Sequence, residues 1–273
     1  MADRLDIVLV NRGFAKSREK AKALIKDEIV YINNIMQTKA ALIVDEDADI
    51  EIRGEVCKYV SRGGYKLEKA LDVFEIDLTD LICMDIGAST GGFTDCMLKR
   101  NAKHVFALDV GHDQLDESLK NDSRVTSLEG TNFRYFTRKE LSECIDCGSD
   151  LPCDVVFASC DVSFISLKHI LEPAFNILSE TGKMVCLIKP QFEAGKEHLN
   201  KKGVVKDKKI HIKVIREIVE FAEEVGFSVL GLTYSPIKGP EGNIEYLLYI
   251  SKDKSKQGVF VNAANTVSEV FDE

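Results

Sequence analysis

The residues best suited to chemistry fall into two groups: a glycine-rich run, DIGASTGGF from Asp85 to Phe93, and four scattered charges, Lys66, Asp161, Lys189 and Glu245. The glycine-rich run follows an apolar stretch (Leu81, Ile82, Met84, Ile86) and opens a predicted helix. An acid at a strand end, followed by glycines with only small residues between, brings backbone close to an anionic or nucleoside ligand. Gly87, Gly91 and Gly92 can take positive φ, and without a Cβ they admit close approach to the main chain. The helix that follows offers unpaired N–H groups. The spacing is not GxGxxG, because position 89 is Ser and Gly91 and Gly92 form a pair. An Asp-x-Gly-x-x-x-Gly-Gly loop suits S-adenosylmethionine better than a dinucleotide, since that ligand has no pyrophosphate to cradle. In isolation the loop also reads as a plain strand-to-helix turn.

Asp109 ends a second strand, HVFALDVG, twenty-four residues after Asp85. An acid near this distance accepts hydrogen bonds from a ribose diol, or alternatively caps a helix. Asn132, in LEGTNFRYF, is placed to reach an adenine edge. The expected cofactor set is thus Asp85, Gly87, Ser89, Thr90, Gly91, Gly92, Phe93, Asp109, Val110, Asn132 and Asp161. Lys189 ends an apolar run directly before Pro190, and a half-buried lysine there calls for an acidic partner. Each of the four charges alone reads as an ordinary paired or surface group. Together they suit methyl transfer to a ribose hydroxyl, a very weak acid whose developing oxyanion needs a cationic field. Carboxylates would hold the lysines and tune them.

These residues need elements to bring them together. Residues 1–60 read as a small unit of two helices (RLDIVLVNRG, then SREKAKALIKDE behind a Ser17 cap) and short strands at IVYINN and ADIEIRG. From about residue 65, strands (81–86, 104–109, 124–128, 154–158, 183–189, 228–234, 244–250) alternate with helices (65–74, 92–100, 113–120, 166–178, 208–225). Alternation of this kind implies βαβ units and a doubly wound sheet with its site at the carboxyl ends of the strands. The connection YSPIKGPEGN holds no helix, so the last strand is expected to be antiparallel. The fold class expected is α/β: a seven-stranded Rossmann-like sheet with an antiparallel last strand, which resembles the S-adenosylmethionine-dependent methyltransferase fold, behind a small α+β domain. The domains expected are 1–60, 61–252 and a tail, 253–273, with weak patterning and no assigned role.

Residues 4–34 resemble the S-four-type RNA-binding domain, named after a small-subunit ribosomal protein. The resemblance implies that the second helix lays its basic face on structured RNA, with Arg4, Lys16, Arg18, Lys22 and Lys26 as contacts; Arg62, in the basic patch between Lys58 and Lys69, is a further expected contact. Beyond it, SRGGYKLEKAL, DIGASTGGFTD, ALDVG, CDVSFISL, IKPQFEAGK and GNIEYLLY follow in the order of the hemolysin TlyA family, in which such a domain precedes an FtsJ-like methyltransferase domain. This resemblance implies methylation of ribose 2′-hydroxyls of ribosomal RNA, at cytidines, with Lys66, Asp161, Lys189 and Glu245 as the catalytic tetrad. Asp85, Gly87 and Asp109 match the S-adenosylmethionine positions, whereas Asn132 stands where relatives often carry Asp.

The formal net charge of −9 would argue against nucleic acid, yet its distribution does not. Lys16, Arg18, Lys20, Lys22 and Lys26 face only Glu19, and seven lysines lie between Lys196 and Lys213. Fields are local under physiological screening, so such patches can bind phosphates, although any one of them also reads as a solvated face. The basic stretch 190–209 is expected to be a mobile segment framing the RNA entrance. No apolar run approaches the about 18 residues of a membrane span, MADRLDIVLVNRGF is charged within four residues and lacks the apolar core expected of a leader, and eight cysteines fit a reducing cytoplasm. Cys144, Cys147 and Cys153 lie close together without a nearby His, so no metal site is expected. Three function classes compete: the ribosomal RNA methyltransferase, a non-catalytic RNA-binding assembly factor, against which the complete tetrad speaks, and a membrane-active hemolysin. Against the last, the helix at 17–28 carries no large apolar face for insertion and no membrane contact is expected. The expected partners are ribosomal RNA or ribosomal subunits.

Overall fold

The computed structural model describes residues 2–26, 29–54, 57–146 and 154–272. The chain divides into two compact units, Met1–Arg62 and Gly63–Glu273.

The first unit runs β1 (Ala2–Arg4), α1 (Leu5–Asn11), α2 (Arg18–Lys26), β2 (Val30–Ile32), β3 (Ile35–Met36), β4 (Ile43–Asp45) and β5 (Ile50–Ile52). Ser17 starts α2 by accepting the Lys20 N–H at 3.2 Å. The apolar faces of the two helices (Leu5, Val8, Leu9, Ala21, Leu24, Ile25) close a small core with Val30, Ile32, Val44 and Ile50. β2 pairs antiparallel with β3 and β5, and β1 pairs with β4.

The second unit opens with α3 (Gly63–Val73) and alternates β6 (Ile82–Ile86), α4 (Gly92–Lys99), β7 (His104–Asp109), α5 (Glu117–Lys120), β8 (Val125–Glu129), α6 (Arg138–Asp146), β9 (Val155–Cys160), α7 (Lys168–Ile177) and β10 (Leu178–Ile188). It closes with α8 (Pro190–Glu193), α9 (Lys208–Val225), β11 (Ser228–Tyr234), β12 (Tyr246–Ser251) and α10 (Ala263–Asp272). Seven strands form one sheet in the order β11-β12-β10-β9-β6-β7-β8. β12 is antiparallel to both of its neighbours, and the strands from β10 to β8 are parallel.

Period-two alternation along β6 sends Ile82, Met84 and Ile86 into a core shared with Ile170 and Leu171 of α7, Val214 and Ile218 of α9, and Val267 of α10. Asp85 points to the opposite face, where it meets Thr94 of α4. α9 is capped by Asp207, which accepts the Lys209 N–H, and it stops at Gly226 in the left-handed region (φ +115°). The residues beyond 252 are not a loose end: α10 packs against α9 and β11. The stretch after Lys189 is likewise held. Asn200 Oδ1 accepts the N–H groups of Lys202 and Val204, while His211 binds the Val205 carbonyl at 2.9 Å. The lysines of this stretch ride on an anchored turn whose Val204 and Val205 are buried.

Candidate active site

Three neighbouring strands bring three of the four predicted charges to one edge. Asp161 directly follows β9, Lys189 directly follows β10, and the two strands pair in parallel with Cys186 beside Cys160. β12 runs the other way, with Tyr246 opposite Ile188, so Glu245 arrives at its start beside Lys189. The fourth charge, Lys66, comes from the buried face of α3, which also carries Leu67, Ala70 and Leu71.

The four side chains form a continuous chain of ion pairs. Lys66 Nζ lies 2.6 Å from Glu245 Oε2 and 3.2 Å from Asp161 Oδ2. Lys189 Nζ lies 2.5 Å from Asp161 Oδ1 and donates to Ser163 Oγ at 3.0 Å. Lys66, Lys189 and Glu245 are buried. Burial pushes the Lys66 ammonium down, but Asp161 and Glu245 outweigh it and hold the group above the usual lysine range. Burial likewise pushes the Asp161 carboxyl up, and Lys66 with Lys189 more than reverses this, so it titrates below the usual carboxylate range. Both groups therefore stay charged, in a poorly hydrated setting where charge acts strongly. Gly239, in the turn read from sequence only as a connection, leaves room for Glu245: a Cβ there would sit 2.4 Å from Oε1.

The glycine-rich loop adjoins this cluster. Gly87 (φ +82°) and Gly91 (φ +96°) both lie in the left-handed region. A Cβ on Gly87 would stand 2.8 Å from the Asp161 carbonyl oxygen. A backbone cradle that only glycine permits, directly against a cluster residue, is the kind of surface S-adenosylmethionine needs, and the residues fit that cofactor. Asp109 does not cap a helix. Its carboxylate accepts the Ser89 N–H at 2.7 Å and the Gly111 N–H at 2.8 Å, which ties the two strand-end loops together. Ser89, Thr90 and Val110 are exposed at this rim, and Gly92 begins α4.

Other predicted positions do different work in the fold. Asp85 is fully buried, accepting from Thr94 Oγ1 at 2.7 Å and Ser159 Oγ at 3.1 Å, so its carboxylate organises the loop from behind. Burial pushes that carboxyl up to about 7 against those hydrogen bonds. Phe93 is buried. Asn132 is exposed, and its side-chain oxygen caps the short turn Phe133–Tyr135 by accepting the Arg134 N–H.

Sequence reasoning passed over Phe164. It lies three residues after Asp161, 90 % exposed and at φ +63°, with its ring 5.0 Å from that of Phe192. An aromatic residue in the left-handed region is uncommon, and with full exposure that is the available signal, neither part of which is visible in CDVSF.

In the first unit, Arg4 and Arg18 converge on one buried carboxylate. Asp6 receives Arg4 Nε at 2.9 Å and Arg18 Nη2 at 2.9 Å. The two guanidinium groups hold its carboxyl down at about 2, while their own side chains remain 40 % and 48 % exposed. Lys16 and Lys22 are exposed on the same unit, as is Arg62 at its end. Cys147 and Cys153 lie outside the described residues, as does the side chain of Lys26, and among the described residues no cluster of metal-ligating side chains occurs.

Comparison with known proteins agrees with this architecture. The FtsJ-like methyltransferase family matches residues 59–252, and the S4 domain family matches residues 3–50. Hemolysin A of Brachyspira hyodysenteriae is 41 % identical over 246 residues, covering 90 % of this chain and 98 % of that protein. The 16S/23S rRNA (cytidine-2'-O)-methyltransferase TlyA of Mycobacterium tuberculosis is 39 % identical over 248 residues, covering 90 % of this chain and 89 % of its own. A solved Streptococcus thermophilus chain described as a "putative hemolysin" superposes with a TM-score of 0.78 at 42 % identity, covering 100 % of this chain and 96 % of that one. The two family matches, together with relatives 39–41 % identical over 90 % of the chain, show that the chain belongs to the FtsJ-like, S-adenosylmethionine-dependent methyltransferases and carries an S4 domain before the methyltransferase domain.

Proposed function

We propose that this enzyme methylates ribose 2′-hydroxyls of ribosomal RNA, at cytidine, with Lys66, Asp161, Lys189 and Glu245 as its catalytic group. The observation that carries this reading is the Lys189–Asp161–Lys66–Glu245 chain of ion pairs at the strand ends, one residue of which touches the glycine cradle. The named activity of the Mycobacterium tuberculosis relative supports the substrate class and the nucleotide.

S-adenosylmethionine, when bound, supplies an electrophilic methyl group. Gly87, Ser89 and Gly91, whose N–H groups are donated within the protein, would hold it by close approach of the main chain, and Asp109 would offer its remaining acceptor capacity to a ribose diol. The chain's own residues then manage charge at the accepting oxygen. Lys66 is held as a cation by two carboxylates, so it supplies field and does not take a proton. Lys189 shares one carboxylate and otherwise meets a neutral hydroxyl; once it has released one of its own protons to solvent, its Nζ is the group placed to receive the 2′-hydroxyl proton. Asp161 spans both lysines and fixes their separation. Glu245 anchors Lys66 from the far side.

Phe164 extends the site toward the nucleotide. An exposed ring held in a sparsely populated backbone conformation beside the cluster serves as a stacking platform for a base. Such contacts contribute about 1–3 kcal/mol each. Lys16, Lys22, Arg4 and Arg18 of the S4 domain, with Lys26 and Arg62, contact RNA phosphates, which positions the enzyme without reading sequence.

Incubating the protein with labelled S-adenosylmethionine and undermethylated ribosomal subunits or naked ribosomal RNA, then mapping the modified ribose, tests this reading. A label on a cytidine 2′-oxygen supports it. Cofactor binding without methyl transfer to either form of the RNA would overturn it and favour a non-catalytic RNA-binding role.

A further inference from the structure

Phe164 stands exposed at φ +63°, so its surroundings must hold it there. Two residues on, Ser166 Oγ donates to Glu193 Oε2 at 2.6 Å, and the Leu167 N–H donates to Glu193 Oε1 at 2.8 Å. Glu193 closes α8, the short helix that follows Lys189 and carries Phe192. A single carboxylate thus ties the segment bearing Asp161, Ser163 and Phe164 to the segment bearing Lys189 and Phe192. The same two segments also meet through Lys189 and Ser163 and through the two phenylalanine rings.

At the start of α7, Ser166 Oγ accepts the Lys168 N–H at 3.2 Å, while the preceding Leu167 N–H is left to the Glu193 carboxylate. Glu193 is also an awkward residue for mere packing, because burial pushes its carboxyl above the usual range and the hydrogen bonds from Ser166 and Leu167 offset this only in part. It touches no member of the ion-pair chain. Its two bonds instead lock the loop immediately beyond the exposed ring.

We propose that Glu193 is a positioning residue that fixes Phe164 against Phe192 as the platform for the target nucleobase. The proposal rests on the ribose-methylation reading above for the identity of its ligand. The clamp itself rests on the two carboxylate bonds and the left-handed backbone of Phe164.

The chain contains no tryptophan, so F164W introduces a single fluorescent reporter at the platform. In that background without RNA, E193A is expected to shift the emission to longer wavelength and lower its anisotropy. E193Q, which keeps an acceptor for the Leu167 N–H, is expected to shift it less. In the otherwise natural chain, E193A is expected to raise KM for the RNA about tenfold, the size of a lost charged hydrogen bond. The kcat at saturating RNA and the cofactor Kd should stay within about twofold, the signature of an altered binding surface alone. E193Q should fall between, and it keeps the test open if E193A fails to fold. Unchanged emission and unchanged KM in E193A would overturn the clamp. Parallel losses of cofactor affinity and kcat would overturn it too, because they would mark a purely structural residue. A natural chain that methylates no ribose would remove the nucleobase as ligand, whereas the F164W emission would still decide whether Glu193 holds the ring.

Discussion

Lys66 and Glu245 meet at 2.6 Å although 179 residues separate them in the chain, and Glu245 is almost entirely removed from solvent. A buried pair is fragile in one specific way. Deleting one partner strands the other charge in a poorly hydrated site, at a loss of about 3–5 kcal/mol where no alternative partner exists. Lys66 keeps Asp161 at 3.2 Å, so E245A should sit near the lower end, about 3 kcal/mol. Urea denaturation of E245A against the natural protein measures it. A loss well under 1 kcal/mol would mean that the pair is solvated.

Asp161 bridges the two lysines, so D161A should reach both halves of the site. The expected loss in kcat is about 10²–10⁴-fold, the range for a displaced acid–base or electrostatic group. K189A should fall in the same range if its Nζ takes the ribose proton. Cofactor binding followed by calorimetry should change little in K189A. Full activity of either variant would remove the tetrad from the mechanism while leaving the family assignment intact.

Gly87 is the point where backbone freedom and close approach coincide. G87A must place a Cβ 2.8 Å from the Asp161 carbonyl at a φ of +82°, both of which an L-residue resists. Cofactor affinity should fall about 5- to 150-fold, because the strain is of the order of 1–3 kcal/mol. Calorimetric titration with S-adenosylhomocysteine reads this directly. An unchanged Kd would show that the loop is a turn and not a cradle.

Asp85 makes a pH prediction with a definite sign. Its carboxyl titrates at about 7 in the folded state and near the usual 3.9 once unfolded. Between those values the folded protein holds a proton that the unfolded chain lacks. This stabilisation is complete below about pH 4 and is lost as pH rises through about 7. D85N cannot titrate, so the natural protein should lose melting temperature relative to D85N between pH 5 and 8. The buried His104 and His211, whose pKa values burial lowers, act in the opposite direction in both proteins and cancel in the comparison. Parallel melting curves for the two proteins would mean that Asp85 is charged throughout.

The S4 domain makes an electrostatic prediction. K16A/K22A removes two exposed cations without touching the Asp6 cluster. If both contact phosphate, the slope of log K against log salt should become shallower by about 2. Filter binding to ribosomal RNA at several salt concentrations measures that slope, and cofactor affinity should not move. An identical slope would place the RNA elsewhere.

How much of this was legible in the residues differs from element to element. α9 could be bounded at 208–225 from sequence by one apolar stripe and a Gly226 stop, and the structure adds the Asp207 cap. α10 could not, because AANTVSEVFD carries a short stripe that becomes a helix by packing on α9 and β11. The strand ends were legible from periodicity, and with them the prospect that Asp161, Lys189 and Glu245 would converge.

What periodicity and motif spacing could state was therefore the alternating strands and most of the longer helices of the second unit, the antiparallel last strand, the glycine turn and the candidate charges, while α6, α8 and α10 went unread. These are local properties, written in hydrophobic period, turn chemistry and residue type. Which atom meets which was decided by the assembled fold alone. Asp85 faces Thr94 and Ser159 inside the protein, Arg4 and Arg18 share Asp6, and Phe164 projects outward while Glu193 holds the loop beyond it. A carboxylate looks the same in a sequence whether it binds a cofactor, pairs with arginines or pins a loop. Burial and partner geometry separate those roles, and both arise only when residues distant along the chain are packed together.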